Sequence, residues 1–284
     1  MKINILLITE LLQYHILSYL SLSELCLLRR VSKYFNEEVI IYFSNLKTLD
    51  ITGYKNILTE EGFGYMVIHF KQLLEVYLTS CWKCASAINV RVIINRCPNL
   101  KVFVADHCGY IDDNILKELG RRCKSINHLD ISYCFNVTDK GVSAIAKCCC
   151  DLDVLHISSN YGITEKSIRS IAKNCKKLTK LDVAFCMIRS EAFQHYLNKK
   201  TSLKEIRVTK CPNISEGIIE KLVHQVQQIR WLVCIISICK NKTGWIICDI
   251  FLVAFELSFY FTKMSILLSN KEFLMLIVVL ISVR

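Results

Sequence analysis

The chain has 284 residues, 52% of them hydrophobic, with two prolines and nine glycines; this suffices for one large or two smaller cores and excludes a linker-rich or disordered protein. The formal charge of +11 comes from dispersed basic residues, among them the pairs Arg29-Arg30, Arg121-Arg122, Lys176-Lys177 and Lys199-Lys200. Without interleaved stacking aromatics these read as solvated helix faces, which argues against nucleic-acid binding and leaves an acidic protein partner as the charge-complementary one.

The first patterned stretch, His15 to Phe35, reads as two short helices joined by Ser21-Leu22-Ser23. It holds more apolar residues than two small helices can bury in each other, so a further surface is needed to cover them.

From Leu46 onward one apolar spacing recurs. Ile126, Leu129, Ile131 and Cys134 set the pattern; Leu152, Leu155, Ile157 and Asn160 repeat it, and Leu178, Leu181, Val183 and Cys186 do so again. The series extends back through Leu100-Phe103-Ala105-Cys108, Leu73-Val76-Leu78-Cys81 and Leu46-Leu49-Ile51-Tyr54. It runs forward through Leu203-Ile206-Val208-Cys211, then weakly to Trp231-Cys234-Ile236-Cys239. The period is about 26 residues and the unit is L-x-x-L-x-L-x-x-N/C, that of a leucine-rich repeat.

Residues two apart on a short strand share a side, so the fourth and sixth positions pack inward while their neighbours face outward. The ninth position needs a small side chain that enters the interior and bonds the turning backbone. Thr138-Asp139, Thr164-Glu165, Ser190-Glu191 and Ser215-Glu216 place a capping hydroxyl beside an acidic first turn, so a helix is expected after each strand. A second cysteine series, Cys97, Cys123, Cys149 and Cys175, falls near the helix ends. Seven repeats are clear and an eighth is degraded. The predicted fold is therefore α/β: a leucine-rich-repeat horseshoe with parallel strands on the concave face and helices outside, preceded by a small all-α segment.

The sixteen cysteines thus belong mostly to the repeat. Cys81-Trp82-Lys83-Cys84 stands without a second pair to complete a zinc site, and Cys148-Cys149-Cys150 contains one repeat cysteine with two neighbours, so neither metal nor cofactor is expected. The opening residues carry no cleavage-site pattern, and the sequons at Asn136, Asn213 and Asn241 follow repeat chemistry. Reduced thiols in the cytoplasm or nucleus are the expectation.

The outward positions are the candidate binding surface: Asp50, Tyr77, Asp106, His107, His128, Asp130, Tyr133, His156, Asp182, Phe185, Arg207 and Lys210. Of these, Asp106, His107, Asp130, Tyr133, His156, Asp182 and Phe185 are the expected substrate contacts, with the two aromatics as anchors. His128, Asp130 and His156 resemble acid–base pairs, but the pattern implies no nucleophile or deep pocket, so catalysis is not expected.

From Gly244 the repeat fails. GWIICDIFLVAFELSFYF contains Asp249 and Glu256, which are costly near the centre of a membrane span, and Phe273 to Val283 is too short to cross a bilayer. Residues 245–284 are thus a hydrophobic tail with three open readings: a cap on the solenoid, a membrane-lying segment, or a product of a mis-assigned last exon.

Residues 8 to 35, ITELLQYHILSYLSLSELCLLRRVSKYF, resemble the F-box, and with the repeats behind them the chain resembles a short member of the F-box/leucine-rich-repeat family with cysteine-containing repeats. The matching residues are Ile8, Glu10, Leu12, Ile16, Leu17, Ser18, Tyr19, Leu20, Leu22, Leu25, Leu28, Arg30, Val31, Ser32, Lys33 and Phe35; the family proline is Thr9 here and its tryptophan Phe35. The resemblance implies an F-box over residues 1–45, repeats over 46–244, and a non-catalytic substrate receptor of a Skp-cullin-F-box ubiquitin ligase. It further implies that Leu12, Ile16, Leu20, Leu25, Leu28, Val31 and Phe35 divide between a small core and a Skp-type adaptor, and that the concave face holds a protein substrate. The alternative is a repeat scaffold in which the same helices only cap the first repeat.

Overall fold

The computed structural model describes residues 11–194, 202–211, 213–215, 217–218 and 221, together with the backbone of two further strands, Trp231–Ser237 and Cys248–Ala254. Thr9 and residues 255–284 of the tail lie outside the described residues.

The chain opens with two one-turn segments, Leu12–Ile16 and Leu17–Tyr19, then helix α1 (Leu22–Leu28) and helix α2 (Lys33–Asn45). Ser21 is not a linker residue. Its hydroxyl accepts from the Glu24 amide while the Glu24 carboxylate accepts from the Ser21 amide, a reciprocal cap that starts α1 at Leu22. Phe35, expected on a second short helix, belongs to α2, which Ser32 caps through the Phe35 amide.

Strand–helix units follow: β1 (Thr48–Asp50) and α3 (Glu60–Val67), β2 (Glu75–Tyr77) and α4 (Ala87–Arg96), β3 (Val102–Val104) and α5 (Asp113–Arg122). Then come β4 (His128–Asp130) and α6 (Asp139–Cys148), β5 (Val154–His156) and α7 (Glu165–Asn174), β6 (Lys180–Asp182) and β7 (Glu205–Arg207). The start signal at Ser190-Glu191 opens with a 3-10 turn over Ser190–Phe193, preceded by Arg189 with no side-chain cap, and Gln194 follows in helical conformation. All seven strands are parallel and in repeat register, with Leu129 beside Leu155 and Leu155 beside Leu181. The fold is a leucine-rich-repeat solenoid.

Trp231–Ser237 (β8) adds to β7 in parallel, with Leu232 beside Ile206. The sequence spacing places Cys234 there, so the last repeat is shifted by two residues and Leu232 takes the register position expected of Cys234. Cys248–Ala254 (β9) pairs antiparallel with β8 and closes the repeat series.

The inward positions form one continuous core from Leu12 to Ile218. The N-terminal helices share it: Leu17, Leu25, Val39 and Phe43 are buried, and Phe43 meets Phe70 edge-to-face at 5.7 Å. The Leu22 amide donates to the Tyr54 hydroxyl, and the Arg29 guanidinium lies 3.5 Å over the Tyr65 ring.

Two polar ladders hold successive repeats in register. The ninth-position side chain donates to the sixth-position carbonyl of the preceding repeat: Cys108 to Leu78 at 3.1 Å, Cys134 to Ala105 at 3.2 Å, Asn160 to Ile131 at 2.8 Å and Cys186 to Ile157 at 3.2 Å. Burial pushes the Cys186 thiol up to about 12, so it stays a protonated donor. On the helix side, Asp113 accepts from the Thr138 amide, the Thr138 hydroxyl and the Gly141 amide, and Asp139 binds Thr164 and Ser167 in the same way.

Gly141 is required by the second ladder, since a Cβ there would stand 2.5 Å from Asp113 Oδ1 and 3.1 Å from its Cα. Gly141→Ala is expected to cost about 1–3 kcal/mol in urea unfolding through overpacking, whereas Gly109→Ala, with open space around it, changes stability by less than about 0.5–1 kcal/mol. Asn160→Ala leaves the Ile131 carbonyl without its side-chain donor and the Ile157 carbonyl with the Cys186 thiol alone, and is expected to cost about 1–3 kcal/mol in the same assay. Asn160→Cys, which restores a weak donor, should cost less.

Candidate functional site

The strands are three residues long and carry one inward residue each, so two side chains per repeat stand on the exposed face. At the strand ends, Asp130, His156 and Asp182 occupy matched positions on β4, β5 and β6, and Arg207 follows on β7. The residue before each ninth position has left-handed backbone: Ser80, His107, Tyr133, Ser159, Phe185 and Lys210 all have φ between 53° and 60°. This conformation, costly for a side chain larger than glycine by about 1–2 kcal/mol, turns the next residue inward. It is offset by a continued ladder, in which the His107, Tyr133 and Phe185 amides donate to the Ser132, Ser158 and Thr209 carbonyls at 2.9 Å.

The predicted contacts therefore fall into two rows. In the first, Asp130 accepts from the Ser132 amide at 3.0 Å and lies 3.3 Å from His156 Nδ1. His128 meets His156 edge-on at 5.9 Å. Asp182 accepts from the Ala184 amide and from Arg207 at 3.1 Å, and is only 9% exposed. Its carboxylate is already committed, which corrects the expectation of a free acidic contact. Asp106 accepts from the Thr79 hydroxyl at 2.5 Å and sits 2.9 Å from His107 Nδ1.

In the second row, His107 stacks on Tyr133 with centroids 4.0 Å apart, and Phe185 lies under the Lys210 ammonium at 5.2 Å. Sequence reasoning missed the continuation of this row at the residue after each ninth position. Phe135 touches Tyr133 at 6.5 Å and stacks on Tyr161 at 5.9 Å, and Met187 stands at the next equivalent position. Phe135 is 58% and Tyr161 65% exposed, more than either predicted anchor. The signal that could have found them is their own period, since positions 135, 161 and 187 are 26 residues apart. The strand-end row is charged and internally paired; the rim is aromatic and open.

The N-terminal helices present a second surface. Ile16 and Val31 are exposed, and Leu20, Leu28 and Phe35 are partly buried against the core. Leu12 and Leu25 are interior, at 7% and 3% exposure, and of the residues expected to divide between core and adaptor these two fall to the core. Leu11, Tyr19, Leu27 and Tyr34 are exposed instead.

The thiols of Cys81 and Cys84 donate to the Ile51 and Cys81 carbonyls. Among the described residues no three metal-ligating side chains converge, and no helix is long and apolar enough to cross a membrane.

The His156–Asp130 pair has a pH signature. Its hydrogen bond to Asp130, working against burial, raises the His156 pKa above 6.5. Burial of Asp130 is outweighed by bonds from His156 and Ser132, which lower its pKa below 3.8, while burial and the neighbouring His156 lower that of His128. The pair's stabilisation is present between those limits; it is lost as pH rises through the folded His156 pKa and as pH falls through that of Asp130. NMR titration is expected to show His156 protonating at higher pH than His128, with Asp130→Asn removing most of the difference.

The leucine-rich repeat family matches at residues 122–146. A solved chain of the yeast Rad7–Elc1 complex is similar at 10% identity and a TM-score of 0.52, with 78% of this chain and 71% of that one covered. An internalin C2 from Listeria monocytogenes aligns at 14% identity over 69% of this chain and 83% of that one, with a TM-score of 0.44. The repeat match and the likeness to the Rad7–Elc1 chain agree with the geometry: this is a leucine-rich-repeat protein-interaction fold.

Proposed function

We propose that the chain is the substrate-recognition subunit of a Skp-cullin-F-box ubiquitin ligase, with the N-terminal helices holding a Skp-type adaptor and the exposed sheet face and its rim holding a protein to be ubiquitinated. The observation that carries this reading is the unpartnered apolar surface of the N-terminal helices, where Ile16, Leu27 and Val31 are 49%, 62% and 69% exposed in the segment that resembles an F-box. Isolated exposed apolar residues are ordinary, but several within one short N-terminal segment, spread over its first turn, α1 and the turn that follows, are what a docking face requires. The aromatic rim from Tyr133 to Tyr161 supplies the anchors for the second partner. Similarity to a chain crystallised as part of the Rad7–Elc1 complex supports a partner-bound role for the fold.

No catalytic residue is needed for this function. Holding a substrate lysine near the ubiquitin carrier raises its effective concentration, and that proximity drives transfer. The buried, hydrogen-bonded thiols suit the reducing cytoplasm or nucleus.

A scaffold without ligase recruitment is the second reading, favoured by the core that Leu12, Leu17 and Leu25 share with the first repeat, since terminal repeats need a cover. Co-expression with a Skp-type adaptor separates the two. The wild-type chain is expected to retain the adaptor, and a Leu27→Asp, Val31→Asp variant with unchanged circular dichroism is expected to lose it by roughly a hundredfold in affinity, as for a pair of central contacts. Failure of the wild type to retain adaptor leaves the scaffold.

A further inference from the structure

The helix face opposite the sheet carries charge that the chain does not neutralise. Each carboxylate on α5, α6 and α7 is engaged at home. Asp113 and Asp139 bind the next helix start, Glu118 pairs with Arg91, and Glu165 pairs with Arg169. Among the described residues, Arg121, Lys140, Lys147, Lys166 and Lys173 are exposed and have no carboxylate within ion-pair distance.

These cations are ordered by the repeat. Lys140 and Lys166 are 26 residues apart, as are Arg121, Lys147 and Lys173, so each set forms a row across neighbouring helices about 8–10 Å apart. Along one helix, seven residues or about 10 Å separate the rows. A shallow depression of about 550 Å³ lies over the outer face of α6, lined by Asp139, Lys140, Ser143, Ala144, Lys147 and Cys148 of α6 and by Lys166 of α7. The small side chains of Ser143 and Ala144 leave the depression open between the lysines.

We propose that this depression docks an acidic polypeptide segment lying along the helix axes, its carboxylates meeting Lys140 and Lys166 at one end and Lys147 and Lys173 at the other. The roughly 10 Å between the rows matches about three residues of an extended chain, so the carboxylates of one acidic segment can meet both rows. The depression lies on the helix side of the solenoid, away from the sheet face and from the N-terminal helices.

The test is fluorescence anisotropy of a short labelled poly-glutamate peptide with the full chain, beside anionic phospholipid vesicles and duplex DNA at matched salt. The peptide is expected to bind with an affinity that falls as salt rises, and Lys147→Glu, Lys166→Glu should weaken it by roughly tenfold or more. Lys55→Glu, on an exposed turn outside the depression, should leave it unchanged, with circular dichroism confirming that both variants fold. Equal affinity in the Lys147→Glu, Lys166→Glu variant and the wild type overturns the proposal, as does binding of vesicles or DNA at lower concentration than the peptide.

Discussion

Each repeat must turn its chain sharply inward after a three-residue strand, and the structure depends on how that turn is satisfied. The ninth-position side chain enters the core and donates to the carbonyl of the repeat before it, as Cys108, Cys134, Asn160 and Cys186 do. A buried carbonyl left without a donor costs about 1–3 kcal/mol, so one small polar or thiol side chain per repeat determines whether neighbouring units can stack. Cysteine supplies a weak bond with little desolvation cost, and Asn160 a strong one with a buried Oδ1 that has no partner. The core then grows by repetition, each inward leucine or isoleucine meeting its counterpart in the adjacent repeat.

The same turn builds the exposed rim. Sending the ninth residue inward requires the residue before it to adopt left-handed backbone, and this places His107, Tyr133 and Phe185 on the rim. The residue after the turn is thrown outward in turn, which aligns Phe135 and Tyr161 beside Tyr133. One backbone device thus serves two ends: the strain at the rim positions is offset by amide bonds to the next repeat, and the aromatic side chains are held in solvent-exposed positions. On the opposite face, Asp113 and Asp139 spend their charge on the following helix start, so the lysines around them are left without internal partners.

At the N-terminal end the first repeat would expose Leu49, Ile51 and Phe70 without a cover. Leu12, Leu17, Leu25 and Phe43 supply it, and the exposed remainder of the same helices forms a surface of its own. Covering the solenoid and presenting an exposed apolar surface are compatible because successive helical positions point to different sides.

The leucine spacing, the ninth-position residues and the helix-starting Thr-Asp pairs are local patterns with one physical solution, and the sequence by itself determined the solenoid, its strand positions and the outward rows. It could not show which outward groups were already satisfied: Asp182 reads as a free carboxylate until Arg207, 25 residues on, is found 3.1 Å away. Nor could it separate Leu25 from Leu27, because α1 is only seven residues long, follows two irregular turns and shows no sustained helical period. The continuous rim of Tyr133, Phe135 and Tyr161 was likewise decided only by the tertiary structure, since contact between residues 26 apart depends on how closely one repeat stacks on the next.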